Sequence, residues 1–273
     1  MDSVTFDIRA NYHLQKYSEC FSASSRSSDK NECAFFYKIL SSQNIMSKEA
    51  ILSEIDHSAS DDMNDYFKLA ISKGTTDKLK MAKSMEDKAD SEVKKLCIAQ
   101  FYESLGMAMD TLRILHGLTS LEARIRRVRC YLRIFRRDLA EKEVKVMSDM
   151  NEEDVTTLQA AIYLHSCKNE YSAAIAILSQ LRDNYGDSPH ILSSIAALKI
   201  SKAKSGGDLA LLDEARKILE RAELSGGATH AGVLANLCVC ARLEGAIDTA
   251  DSYQSRLTSV CPQHPLIRIK YKL

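Results

Sequence analysis

Four stretches of the chain repeat one arrangement of apolar and polar positions. An apolar helical stretch leads into a short polar turn. A second helical stretch follows, with a small residue near its start. The small residues are Ala140, Ala174, Ala215 and Ala250, at intervals of 34, 41 and 35 residues. Four positions after each come Val144, Leu178, Leu219 and Gln254; seven after come Met147, Leu181, Ala222 and Leu257; three before come Arg137, Tyr171, Leu212 and Ile247. These offsets fall on one face of a helix. An alanine on that face predicts close approach of a partner helix, with a bulky residue one turn later filling the space between layers. Leu105, Ala108, Leu112 and Leu115 carry the same offsets upstream, and Tyr17, Cys20 and Ser24 read as a degenerate first copy.

A period near 34 residues is that of the tetratricopeptide unit, a pair of antiparallel helices. The pattern therefore predicts an all-α, tetratricopeptide-like α-solenoid, a superhelix of antiparallel helix pairs. One domain is expected over residues 1–273, with its clearest repeats at 105–260 and a more divergent part at 1–100. Ala108, Ala140, Ala174, Ala215 and Ala250 are the expected packing positions. No unit buries its apolar stripe alone. Stacking closes the core, and each unit touches only its neighbours.

Helix ends follow the same phase. The 41-residue interval is attributed to Ser205-Gly206-Gly207-Asp208, which lengthens a turn. Asn151 is expected to cap a helix whose first turn holds Glu152, Glu153 and Asp154, where negative charge suits the helix dipole. Gly186 stops a helix and Ser188-Pro189 starts the next, with proline at the first position. Gly226-Gly227 breaks the chain again, and Thr229 is the expected cap after it. Pro262 and Pro265 bracket a turn before a last helix ending at Leu273, and Ser22–Ser28 reads as a loop.

Composition narrows the function. Apolar residues make up 45%, enough for a substantial core. Lys plus Arg and Asp plus Glu both number 37, so no global field draws the chain to nucleic acid or anionic lipid. Ten Gly and three Pro are too few for a turn-rich all-β fold. No stretch approaches 18 uninterrupted apolar residues, so membrane association is expected only through partners. Residues 1–10 lack the apolar segment of an export signal. Eight scattered Cys are then expected to be free thiols in the cytoplasm.

Candidate chemistry is sparse. Cys238 and Cys240 would point about 200° apart on a helix, so they cannot share one ion. No CxxC or HxxxH spacing marks a zinc site. His165 and Cys167 fall near a helix end, without a recognisable nucleophile–base motif. Ser72–Thr76 and Ser205–Asp208 lack phosphate-loop spacing. No catalytic residue, cofactor or metal is expected. The most distinctive feature is an arginine run: Arg124, Arg126, Arg127, Arg129, Arg133, Arg136 and Arg137. A helical wheel puts Leu121, Ile125, Val128, Tyr131, Leu132 and Phe135 on one apolar arc, with Arg126, Arg129, Arg133, Arg136 and Arg137 beside it. This is either a docking stripe for an acidic or phosphorylated partner, or a solvated face paired with nearby acids. Arg126, Arg129 and Arg133 are its candidate contacts. Asn236, in the first helix of the last clear unit, is a fourth, for a partner's backbone or carboxylate. Charge neutrality argues against RNA.

Four segments carry a resemblance to a known family. FDIRANYHLQKYSECFS (6–22), LHGLTSLEA (115–123), DLAEKEVKVMSDMNEED (138–154) and CPQHPLIRIKYKL (261–273) occur in the order seen in the coatomer epsilon subunit family. The chain resembles that family along most of its length. The resemblance implies a tetratricopeptide superhelix bound to the C-terminal domain of the alpha coatomer subunit, which it stabilises. It implies a COPI coat role in intra-Golgi and Golgi-to-endoplasmic-reticulum transport, a place on Golgi membranes and COPI vesicles, and no catalytic residues. A tetratricopeptide adaptor that binds an acidic partner or RNA through the arginine helix is the alternative.

Overall fold

The computed structural model describes residues 3–27, 31–72 and 74–268. These residues form seventeen α-helices and no strand. The chain divides into two compact units, Met1–Leu164 and His165–Leu273.

The first unit holds α1 (Ser3–His13), α2 (Tyr17–Arg26), α3 (Glu32–Ser42), α4 (Lys48–Ser58), α5 (Asp61–Ala70), α6 (Thr76–Glu86), α7 (Glu92–Ser104), α8 (Ala108–Ile114), α9 (Leu121–Arg133), α10 (Arg137–Met150) and most of α11 (Val155–Cys167). Helix α3 is its hub and packs on α1, α2, α4, α5 and α7. Phe36, Ile39, Phe67, Leu96, Phe101 and Tyr102 form the centre of its largest apolar cluster. The part of the sequence without a regular phase thus builds the most extensive apolar cluster of this unit. Its side chains pack among several helices, so no single 34-residue stripe marks them.

The second unit holds α12 (Tyr171–Tyr185), α13 (Pro189–Gly206), α14 (Leu209–Leu224), α15 (Ala231–Leu243), α16 (Ile247–Val260) and α17 (Pro265–Arg268). Helix α13 packs on α12, α14 and α15, and α15 on α16. Two apolar clusters fill it, one around Ala215 and Leu219, the other around Ala250 and Leu257.

The alanine seam lies where its spacing places it. Ala140, Ala174, Ala215 and Ala250 are all fully buried, followed by buried Val144, Leu178 and Leu219 one turn later. The position three before is the first helical residue in α10 and α16, and there Arg137 and Ile247 are exposed.

One hairpin turn recurs. A residue with positive φ ends the first helix, and the next residue caps the second: Gln15, Gly106, Phe135, Asn169 and Gly245 hold this place, with φ between 55 and 78°. In each, the cap N–H donates five residues back, as from Arg136 to the Tyr131 carbonyl at 2.8 Å and from Ala246 to Ala241 at 2.8 Å. This is the main-chain bond of a Schellman cap. The packing residue follows five after the turn residue: Cys20, Thr111, Ala140, Ala174 and Ala250. The register of α8 therefore differs from the sequence expectation. Thr111, fully buried, takes the alanine's place, and Ala108 sits at the start of the helix.

Four further expectations change. Ser205 and Gly206 do not lengthen a turn: they extend α13 to 18 residues, Gly207 supplies the positive φ, and Asp208 caps α14. The additional residues also give α14 more helix before its packing position, since Ala215 lies seven beyond its cap rather than four. Asn151 ends α10, and the cap of α11 is Asp154, whose Oδ1 accepts from the Thr156 N–H at 2.8 Å. His230, not Thr229, caps α15, its Nδ1 accepting from Val233 at 3.4 Å. Ser22–Arg26 is helical, with the Ser24 and Ser25 hydroxyls donating to carbonyls four residues back instead of to turn backbone; Ser28 and Leu273 lie outside the described residues.

Candidate partner-binding surface

The arginine run sorts into four groups once α9 is packed. Arg124 and Arg127 face Glu143 of α10, Arg124 at 2.8 Å. Arg127 also donates to the carbonyls of Leu115 and Leu118 at 2.9 and 2.8 Å, so it closes the link between α8 and α9. These two arginines are structural.

The next three converge on one residue of α7. Arg126 lies 2.7 Å from Glu103 Oε2 and donates to Gln100 at 2.7 Å. Arg129 lies 2.6 Å from Glu103 Oε1, and Arg133 donates to the Glu103 carbonyl at 3.2 Å. Two cations share the Glu103 carboxylate and a third donates to its main-chain carbonyl, which leaves an excess of positive charge. Arg126 does not face outward: it is 5% exposed, with its guanidinium over the Phe36 ring. The wheel placed it beside an open face because α7 and α3, which cover it, are not visible from α9 alone. Arg129 is partly exposed and Arg133 exposed, and these two present the charge to solvent.

Arg136 pairs with Asp138 at 2.7 Å, in the first turn of α10, and holds that carboxyl down at about 2. Arg137 is exposed. Phe135, assigned by periodicity to the apolar arc, leaves the helix at the turn and is 84% exposed. Leu121, Ile125 and Val128 form the arc proper, against Ala140 and Met147.

Asn236 stands on α15 and donates from Nδ2 to the carbonyl and hydroxyl of Ser193, at 3.0 and 3.1 Å. It ties α15 to α13 within the second unit. Cys238 and Cys240 are both buried, in different clusters on opposite sides of α15, as their spacing requires.

Sequence reasoning missed the most buried ionic group. Arg9 of α1 is 1% exposed. Its guanidinium meets Glu122, in the first turn of α9, at 2.9 Å, and Asp154, the cap of α11. Tyr37 of α3 donates to the same Glu122 at 3.4 Å. Burial alone would lower the Arg9 pKa, but Glu122 and Asp154 more than offset that and raise it. Nothing in the sequence around Arg9 marks it, since its partners lie 113 and 145 residues away. It also breaks the rule that stacked repeats touch only their neighbours.

Nucleophile chemistry finds little support. Burial pushes the Cys20 and Cys130 thiols up to about 11 and Cys240 to about 12, which keeps them protonated. His165 Nδ1 lies 2.6 Å from Glu170, and Cys167 is exposed on the same helix end. Among the described residues no three His, Cys, Asp or Glu side chains cluster as metal ligands, and no helix is long and apolar enough to cross a membrane.

Recurring helical hairpins, with no strand among the described residues, define a helical-repeat protein of the α-solenoid class. The chain belongs to the coatomer epsilon subunit family, whose model matches residues 1–271. It is accordingly a subunit of coatomer, the COPI coat, with protein partners inside that complex. A comparison with curated proteins finds no match.

Proposed function

We propose that the chain is a non-catalytic scaffold subunit that binds the C-terminal domain of the alpha coatomer subunit and stabilises it within the coat. On this reading it acts in intra-Golgi and Golgi-to-endoplasmic-reticulum transport, from the cytoplasm. It reaches Golgi membranes and COPI vesicles only through its partners, and takes no nucleic acid. The observation that carries the proposal is the family match over nearly all of the 273 residues. The recurring hairpins support it, because helical repeats of this kind serve to bind other polypeptides. Arg129 and Arg133 are the proposed contacts, since their excess charge suits an acidic segment. Arg126 positions them from behind through Glu103, and Asn236 holds the first helices of the second unit in register.

The test is quantitative mass spectrometry of the full chain recovered from its own cells under gentle lysis. The alpha subunit is expected at near-equal amounts, and its level should fall when the chain is depleted. Recovery of the chain alone, or with partners unrelated to the coat, counts against the proposal.

A further inference from the structure

The turn between α9 and α10 breaks three local rules at once. The first concerns its positive-φ residue. The other hairpins use Gln15, Gly106, Asn169, Gly207 and Gly245 there, small or polar residues that tolerate the left-handed region. Here the residue is Phe135, at φ 60°, and a bulky side chain in that region is an outlier. The second concerns burial. The Phe135 ring is 84% exposed, the second most exposed of the large apolar side chains. The third concerns charge. Arg136 caps α10 and Arg137 begins it, so two cations stand at the positive end of a helix dipole, where anions are favoured. Asp138 answers Arg136 alone. Local rules broken together without internal compensation mark a functional surface.

The neighbouring tip adds to the same edge. Arg133, at the end of α9, donates to the carbonyl of Glu103, at the end of α7. The turns that follow these two helices therefore adjoin. The α7–α8 tip exposes Met109, at 67%. An exposed phenylalanine and methionine flanked by Arg133 and Arg137 have the composition of a protein-interface anchor.

We propose that this tip is a docking site for an acidic protein segment, which receives the Phe135 ring in an apolar pocket and pairs its carboxylates with Arg133 and Arg137. Charge complementarity selects the partner: the tip presents arginine forks, which match carboxylates bidentately. A lipid surface suits it less, because the tip offers only Arg133 and Arg137 as free-facing cations, fewer than the cluster of about four to eight that anionic membranes require. The site shares Arg133 with the Glu103 cluster and otherwise lies beyond it, at Phe135, Arg137 and Met109, and it does not depend on the coat assignment.

The full chain carrying a photoreactive benzoylphenylalanine in place of Phe135 is crosslinked in its own cells, and the joined peptide is sequenced. One recurring segment, rich in Asp and Glu around an apolar pocket, is expected. Its yield should fall about tenfold with Arg133→Glu and Arg137→Glu together. Without the probe, Phe135→Asn should abolish co-purification of that segment with the chain while leaving thermal stability unchanged or raised, since asparagine already holds this place at Asn169. No crosslink, crosslinks scattered over segments without an acidic bias, or a yield indifferent to charge reversal overturns the proposal. So does Phe135-dependent sedimentation with phosphatidylserine vesicles, which would assign the tip to lipid.

Discussion

Arg9 and Glu122 stand 113 residues apart in the chain and meet at 2.9 Å in the interior of the first unit. With Asp154 they fasten α1 to the N-terminal ends of two later helices. Both acids already suit those ends, where backbone N–H groups are unpaired and the dipole favours anions. Arg9 then neutralises two charges that helix termini recruited. Removing it leaves both buried without a counterion. Arg9→Met is expected to destabilise the fold by about 3–5 kcal/mol in urea unfolding. Adding Glu122→Gln and Asp154→Asn to that variant should recover part of the loss, since Asn still caps α11. A cost below about 1 kcal/mol for Arg9→Met would show that α1 is held by apolar contacts alone.

The packing register makes a second expectation. Ala174→Leu and Thr111→Leu should each overpack a helix pair, at about 1–3 kcal/mol. Thr111→Ala should cost less than about 1 kcal/mol. Its hydroxyl donates to the Met107 carbonyl at 2.9 Å and otherwise meets only the Cys130 thiol, a weak hydrogen-bonding group, so its loss costs little. Thermal unfolding of the three variants decides whether Thr111 occupies the alanine's place.

Acid should weaken the second unit. Burial, and then the nearby His230, lower His190 to about 4, while burial lowers His230 as well. His230 Nδ1 accepts the Val233 N–H, a role open only to the neutral ring. Both groups are neutral in the fold and bind protons more readily when unfolded. Their contribution is complete above about pH 6.5 and drains away as the pH falls toward 4. The loss is on the order of 3 kcal/mol between pH 7 and pH 4. Denaturant midpoints measured across that range should fall, and His190→Gln should flatten the slope. A flat wild-type profile would contradict the buried pair.

Thiol reactivity gives a fourth measurement. Cys167 is exposed and should alkylate first in the native chain. Cys97 and Cys240 are buried, with burial holding both thiols well above their ordinary range, and should react only on unfolding. Rapid native labelling of Cys240 would place the Ala215 cluster wrongly.

The legible part of the fold was the alanine seam. Small and bulky residues recur there at fixed helical offsets, and the constraint acts between adjacent elements. The arginine run was legible as a feature but not in its roles, because the elements that cover Arg126 are two and six helices earlier in the chain. Arg9 was illegible for the same reason, carried further. The α9 end was misread because Phe135 continues the apolar period by one step, and periodicity alone does not show where the backbone turns left-handed. Gly206 was taken for a breaker, yet glycine is tolerated in the last turn of a helix, where Gly207 ends it.

The recurring turn allots two residues, the second with positive φ, between one helix and the cap of the next. Adding one residue there would rotate everything downstream by about 100° and swing the packing alanine off its seam. Growth or shortening of the protein is thereby confined to the connectors between hairpins, such as 226–230 and 261–264, and to whole helical turns added in matched pairs. Helices α13 and α14 exceed the other hairpins in that second manner, with Ala215 still buried.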